Sequence, residues 1–384
     1  MNQIKTFLKS IFFILLLAIS NLSVCQDSLK IMTYNIEGMK PGTFPGIRLG
    51  FIIDKIQELD PDIIGLQEVN EPLDGNGEHN QCKEIARYLS EHFEVQYTCY
   101  QQFTHLSWDN QFREFIGIIT KHPVIDSGYY QLATGVFPRK VVWNYIDTPM
   151  GMVNFFNTHL SFNSHSVRLV QAGQILDYVN DILPDKIATA TFLTGDFNDV
   201  PNTPTIDLIT DSNADTTFID SYAITNPDHN GYTVPSIAPD KRIDYIFISN
   251  ISQLEADTSF VVSDTAIFDD IYSSDHLAVL SVFKEQMNST GQEIRLHSPF
   301  ELHQNTPNPF TRYSSIQYEL FESAHVKLSV FNHLGIEVMV LTDSFQQAGK
   351  YTVRVDASKL PDCIYFYTIK SDRFIQTKKM IIAR

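Results

Sequence analysis

The chain has 384 residues, enough for two domains with separate cores, at 43% hydrophobic and 19% charged residues. Its formal net charge of −17 opposes nonspecific adhesion to nucleic acid, which needs a basic face. A nucleic-acid enzyme is not thereby excluded, because a metal ion supplies local positive charge.

Lys5 and Lys9 precede an apolar run, Ile11 to Ile19, followed by small and polar residues. This is the layout of a signal peptide, residues 1–25, with Gln26 first after cleavage. The run is too short for a transmembrane helix, so no stable membrane insertion is expected. A lipidated Cys25 is the rival reading, against which Val24 before it is a poor fit.

Residues 26–285 alternate strand-like and helix-like patterns. Strands are expected over Leu29–Asn35, Asp62–Val69, Glu94–Tyr100, Phe115–Thr120, Lys140–Ile146, Met152–Leu160, Thr189–Asp196, Arg242–Ser249 and His276–Phe283. Helices are expected over Ile47–Leu59, Gln81–His92, Ser166–Ile182 and Thr205–Thr210, the last behind Thr203 as cap and Pro204 as first residue. Many strands with a few long helices predict a layered α/β fold. Cys82 and Cys99 are candidates for a disulfide in an exported chain, or remain isolated buried thiols.

Residues 286–300 are polar and read as a linker. From 301 to 384 short strand patterns recur between turn residues, with no helical pattern, which predicts a small all-β sandwich.

The chemistry-bearing residues cluster at strand ends. Asn35 lies in Met32-Thr33-Tyr34-Asn35-Ile36-Glu37, Glu68 in Gly65-Leu66-Gln67-Glu68-Val69, and His159 in Asn157-Thr158-His159-Leu160. Asp196 and Asn198 lie in Thr194-Gly195-Asp196-Phe197-Asn198, Asp244 in Arg242-Ile243-Asp244-Tyr245-Ile246-Phe247, and Asp275-His276 open the last strand. Singly, each has a bland explanation: an edge carboxylate, a packed histidine, an Asx turn. Jointly they combine hard oxygen ligands, amide donors and two histidines. A buried polar group costs roughly 2–7 kcal/mol when unpaired, so so many at strand ends predict convergence on one site.

These segments resemble the endonuclease/exonuclease/phosphatase superfamily, in that family's order, over about Lys30 to Lys284. Arg168 and Gln171 also match its helix pattern. Leu277-Ala278 departs from it, where proline is common nearby. The resemblance implies a four-layered α/β sandwich with two packed mixed sheets flanked by helices. It implies phosphoester hydrolysis with Mg²⁺, or Mn²⁺ or Ca²⁺, held by Glu68, Asn35 and Asp275, and with Glu37 near the metal. His276, oriented by Asp244, would act as base or phosphate contact. Asp196 would align or deprotonate water, and Asn198 and His159 would donate to the phosphorus oxygens. The substrate is expected to be a phosphodiester, such as nucleic acid cut by an extracellular nuclease. A phosphomonoester or a sphingomyelin-like lipid is the close alternative, and a non-catalytic surface module the alternative of another class. Arg113, Lys121, Arg139 and Lys140 read either as phosphate contacts or as solvated charges, and the polar loop Glu71–Asn80 as a determinant of substrate choice. A monomer is expected.

Leu302 to Arg384 resembles the type A sorting domain of the type IX secretion system of Bacteroidetes. The resemblance rests on Gln304 to Phe310, Gly335 to Val338, Ala348-Gly349, Leu360, Ile364 to Tyr367 and Lys379-Met380, with Cys363 replacing a usual glycine. It implies passage through the periplasm and outer membrane, with that secretion machinery as partner.

Overall fold

Two strand–helix–strand units organise the first region of the molecule. In the first, β1 (Leu29–Asn35) runs through α1 (Pro45–Leu59) into the parallel strand β2 (Ile63–Pro72). In the second, β7 (Gly151–His159) runs through α3 (His165–Ile182) into the parallel β8 (Ala190–Asp196). Between them come α2 (Gln81–Phe93), β3 (Thr98–Ser107), β4 (Phe112–Thr120), β5 (Val124–Gln131) and β6 (Lys140–Thr148). After them come α4 (Pro204–Ile209), β9 (Phe218–Asp220), α5 (Ser221–Thr225), β10 (Asp244–Ser249), β11 (Leu254–Val261) and β12 (Val279–Glu285). The computed structural model describes residues 28–73, 79–211, 216–268, 270–286, 300–321, 323–332, 337–371 and 374–384. The expected signal peptide, most of the expected linker and part of the loop Glu71–Asn80 lie outside the described residues.

The strands form two six-stranded mixed sheets, ordered β11-β12-β1-β2-β4-β3 and β5-β6-β7-β8-β10-β9. Ile31, Ile63 and Ile118 of the first sheet pack on Val153, Phe155 and Phe192 of the second. Ile52, Ile56, Ile85 and Leu89 cover the first sheet's outer face, and Ala172, Ile175 and Ile206 cover the second's. This is the layered α/β sandwich. At its centre, Asn157 of β7 donates to the carbonyls of Leu66 and Gly117, at 3.1 and 2.8 Å, and accepts from Gln67 at 2.7 Å. That buried amide fixes one sheet on the other. It also explains Gly65, because a Cβ there would meet Asn157 at 2.7 Å.

Several expected boundaries move. The strand expected over Glu94–Tyr100 begins only at Thr98, because α2 extends to Phe93 and Glu94 takes a left-handed φ of 53° as its C-cap. The last strand begins at Val279, so Asp275 and His276 lie in the loop before it rather than opening it. The edge strands β5 and β11 expose much of their surface and lack an apolar run. Thr203 precedes Pro204 as N-cap but makes no side-chain cap bond. Cys82 and Cys99 form a disulfide, with Cα atoms 6.2 Å apart.

Among the described residues from Phe300 onward every element is a strand: β13 (Phe300–Leu302), β14 (Tyr313–Leu320), β15 (Ala324–Phe331), β16 (Glu337–Gln346), β17 (Gly349–Asp356), β18 (Cys363–Ser371) and β19 (Phe374–Ile382). They form sheets of three and four strands around Ile316, Val326, Leu328, Tyr367 and Met380. Cys363 opens β18 opposite Ile382, so the strand accepts a side chain there.

Candidate active site

Parallel pairing decides where the functional side chains meet. Asn35 ends β1 opposite Gln67, and His159 ends β7 opposite Asp196, so both pairs deliver their last residues to the same end of the sandwich. The carboxyl ends of parallel strands are a recurrent place for α/β sites. β10 runs antiparallel to β8, and its first residue, Asp244, stands opposite Asp196. β12 runs antiparallel to β1, so the preceding loop brings His276 to that end too.

Local backbone turns then aim individual groups. The β2–β4 register slips between Leu66 and Val69, and Glu68 takes a φ of 55°. This bulge re-aims the Glu68 side chain. Gly195 has a φ of +147°, and a Cβ there would lie 2.1 Å from the Thr158 carbonyl oxygen. Only glycine lets β8 lie so close to β7 just before Asp196. Asp196 Oδ1 accepts from the Asn198 amide at 2.8 Å, an Asx turn with Asn198 at a φ of 51°. The bland reading of this pair and the functional one are therefore the same geometry.

The groups form one hydrogen-bonded array. Asn35 Nδ2 donates to Glu68 Oε1 at 3.1 Å and to Asp196 Oδ2 at 3.0 Å, while its Oδ1 accepts from the Glu37 amide at 3.1 Å. His276 Nδ1 lies 2.9 Å from Asp244 Oδ2, and His276 Nε2 lies 3.8 Å from Asp196 Oδ2. His159 Nε2 stands 3.4 Å from the same Asp196 oxygen. Asn198 Nδ2 donates to the Leu160 carbonyl at 3.1 Å. Ser274 Oγ donates to the Asn35 carbonyl at 2.7 Å and accepts from the His276 amide at 3.1 Å, tying the loop to the end of β1. Asp275 is exposed beside the site, and after burial its charge acts most strongly on Glu68.

Electrostatics assign proton states. Burial, then the Asp244 charge, pushes the Asp196 carboxyl up to about 7. Burial and Asp275 raise Glu68. Burial opposes a charged His276, but Asp244 and Asp196 together override it and raise the ring well above its ordinary value. His159 goes the other way, held neutral by burial and by Arg139. Arg139 Nη1 lies 3.1 Å from His159 Nδ1 and 3.5 Å from Glu114 Oε1. Because guanidinium only donates, His159 Nδ1 accepts and Nε2 carries the proton. Burial and Glu68 push Glu114 up to about 8.

Some expectations change. Glu37 is engaged by Arg48 at 3.0 Å and by Lys40, in a buried ion pair that the sequence did not suggest. Arg48 in turn donates to the carbonyls of Ile36 and Ser273, bracing the ends that carry Asn35 and His276. Arg168 and Gln171 support the segment after His159. Arg168 donates to Asp199 at 2.9 Å and to the Ser161 carbonyl at 3.0 Å, and Gln171 accepts from the Ser161 amide at 2.9 Å. Arg139 is buried inside the site, whereas Arg113 pairs with Glu71, Lys140 lies over the Tyr129 ring, and Lys121 pairs with Asp60 and Asp62 at the far end of β4. Sequence reasoning missed Glu114 and His105, because β3 continues past Tyr100 and β4 starts before Phe115.

The donor set suits a divalent cation. Asp196, Asp244 and His276 each offer a ligand atom, all within 4.8 Å of one another, and Asp244 Oδ1 is buried with no hydrogen-bond partner. Glu68 adds a buried carboxylate whose ionised form needs positive charge nearby.

Residues 32–276 match the model of the Endonuclease/Exonuclease/phosphatase family, and the chain belongs to that family of phosphoester hydrolases. Residues 306–383 match the model of a secretion system C-terminal sorting domain. The chain is therefore exported, to the cell surface or the extracellular space, and that region engages the secretion machinery. Among solved structures it is similar to an endonuclease/exonuclease/phosphatase family protein from Leptotrichia buccalis, at 20% identity and TM-score 0.54, covering 67% of this chain and 100% of that one. A mannosyl-6-phosphatase from Bacteroides thetaiotaomicron is 20% identical with TM-score 0.52, covering 66% and 99%. Truncated Caenorhabditis elegans TDP2 is 17% identical with TM-score 0.50, covering 67% and 97%. These likenesses show the fold. No curated protein matches the chain. No helix among the described residues is long and apolar enough to cross a membrane.

Proposed function

We propose that the protein is an exported, divalent-metal-dependent phosphoester hydrolase. The observation that carries this reading is the array at the sandwich end, where Asn35 bridges Glu68 to Asp196 and the His276–Asp244 pair faces the same Asp196 oxygen. The cation is placed at Glu68 with Asp275 and not on the Asp196–Asp244–His276 group, because His276, held charged by Asp244 and Asp196, has no free lone pair to offer a metal. Bound there, it neutralises phosphate charge and stabilises the leaving oxygen. Asn35 turns its amino group to the carboxylates and spends its oxygen on the Glu37 amide, so its part is to hold Glu68 and Asp196 in place.

Asp196, with its carboxyl near 7, takes the proton of the attacking water. His276, charged through Asp244, donates to a phosphorus oxygen. His159 donates from Nε2 and Asn198 from its amide. The nuclease version expected from the sequence has the weaker support, since the nearby cations Arg113, Lys40 and Lys140 are all engaged. The test is turnover of bis-p-nitrophenyl phosphate and p-nitrophenyl phosphate by the purified full chain, with Mg²⁺ or Mn²⁺ and with EDTA. Metal-dependent turnover of either supports the reading. Equal rates with and without EDTA, or no turnover of either, refute it.

A further inference from the structure

The pocket that holds the catalytic groups has two unlike sides. Glu68, His159, Asp196 and His276 line one. The other is apolar and comes from three separate segments: Leu106 and Trp108 where β3 turns into β4, Phe137 between β5 and β6, and Phe162 beyond β7. The volume is about 480 Å³, within the range of small-molecule sites.

None of these four side chains belongs to a hydrophobic core cluster of the molecule. Phe162 is 53% exposed and Leu106 38% exposed, so apolar surface faces water at the mouth of a charged site. Such a patch beside a pocket marks a contact surface. It is also held in place. Trp108 Nε1 donates to Asn70 Oδ1 at 3.0 Å, and the same oxygen accepts from the Met39 amide at 2.9 Å. Phe137 stacks on His105 with centroids 4.3 Å apart and lies 6.0 Å from Phe162. Arg168 donates to the Phe162 carbonyl at 3.3 Å, pinning that loop.

The charges around the mouth favour a small ester over a polyanion. A polyanion needs a row of available cations. Arg113 and Lys40 are paired with Glu71 and Glu37, and Lys140 lies over Tyr129. Asp109 lines the pocket itself, and Asp275 is exposed beside it.

We infer that the pocket takes a small phosphoester whose non-phosphate part is a ring with an apolar face, laid against Trp108, Phe137 and Phe162 while phosphorus sits at the ionisable side. Sugar phosphates and nucleotides share that chemistry, and the inference rests on the phosphoesterase reading above. The ring's binding energy positions the phosphoryl group, so it appears mainly in KM.

The full chain with Mg²⁺ would be assayed on ringless esters, glycerol 3-phosphate and glycerophosphocholine. Ring-bearing esters of both kinds would be glucose 6-phosphate, AMP and a dinucleotide, and the polymer would be DNA. At least one ring ester is expected to exceed its ringless match about tenfold in kcat/KM, chiefly through KM. The sugar and nucleotide arms show which ring is used. Phe162→Ala and Trp108→Ala are expected to reduce that ratio by roughly tenfold, and Phe162→Tyr to restore it. The inference is overturned if the ratio is unchanged in both alanine variants, or if DNA is cut more efficiently than every small ester. If ringless and ring esters turn over equally, the inference alone falls. If none of these nor bis-p-nitrophenyl phosphate turns over, the hydrolase reading itself has failed.

Discussion

Both regions of the chain stack one β-sheet on another, yet they use buried polar groups in opposite ways. In the sorting region such groups close loops. Asn305 donates to the Pro307 carbonyl at 3.0 Å and to Ser314 Oγ at 2.8 Å, and the Tyr367 hydroxyl donates to the His303 carbonyl at 2.8 Å. Each partner is a neutral group. In the first region, buried carboxylates and imidazoles are collected at one end and share partners, with Asp196 Oδ2 facing Asn35, His159 and His276 at once. An interior of neutral, mostly paired groups favours stability. A crowded ionisable one costs stability and shifts proton affinities, as expected of a functional site.

That contrast can be broken in several places. The largest effect is expected from EDTA, which should remove turnover while leaving far-UV circular dichroism unchanged, with Mg²⁺ or Mn²⁺ restoring it. Next, Asp196→Ala or His276→Ala should lower kcat by about 10²–10⁴ without unfolding the chain. Wild-type rates in either would remove that residue from the chemistry. The pH profile comes third. Asp196 must lose its proton to act, so kcat/KM should fall about tenfold per pH unit below pH about 7. A flat profile down to pH 5 would assign the proton elsewhere. His276 has the opposite sign. Its raised affinity adds stability below the ordinary histidine value, and that stability is lost as pH rises through the folded value. The smallest effect belongs to the tail. Asn305→Ala removes two hydrogen bonds, to the Pro307 carbonyl and to Ser314 Oγ, and should cost about 1–3 kcal/mol, visible as a lower melting transition with unchanged turnover. An equal loss of turnover would contradict the separation drawn above.

Much of this was readable in the sequence, and the residues that were not share a cause. Asn35, His159, Asp196 and Asp244 sit at ends of strands with strong apolar runs, so strand limits alone place them together. Glu68 was legible as a residue but not as a direction, because the slip at Leu66–Val69 depends on pairing with β4. Arg139 looks like any charged residue entering a strand. Only the packed structure shows its guanidinium buried against His159 and Glu114. Glu37 was legible as an acidic residue but not as an ion-pair partner, since Arg48 comes from a helix that reads simply as amphipathic. The edge strands β5 and β11 were invisible because their exposed faces carry no periodic apolar signal. The pocket's aromatic side was equally silent, as its members come from three loops brought together by the tertiary fold alone.

The pairing of β1 with β12 makes activity a report on completion. Leu29 lies beside Phe283 and Thr33 beside Val279, and the loop entering β12 carries His276 back to Asn35 through Ser274. A ribosome-bound chain that ends short of Val279 has Asn35, Glu68 and Asp196 but cannot close the sheet that seats the histidine. Until β12 has joined β1, the site therefore lacks the seat of its histidine.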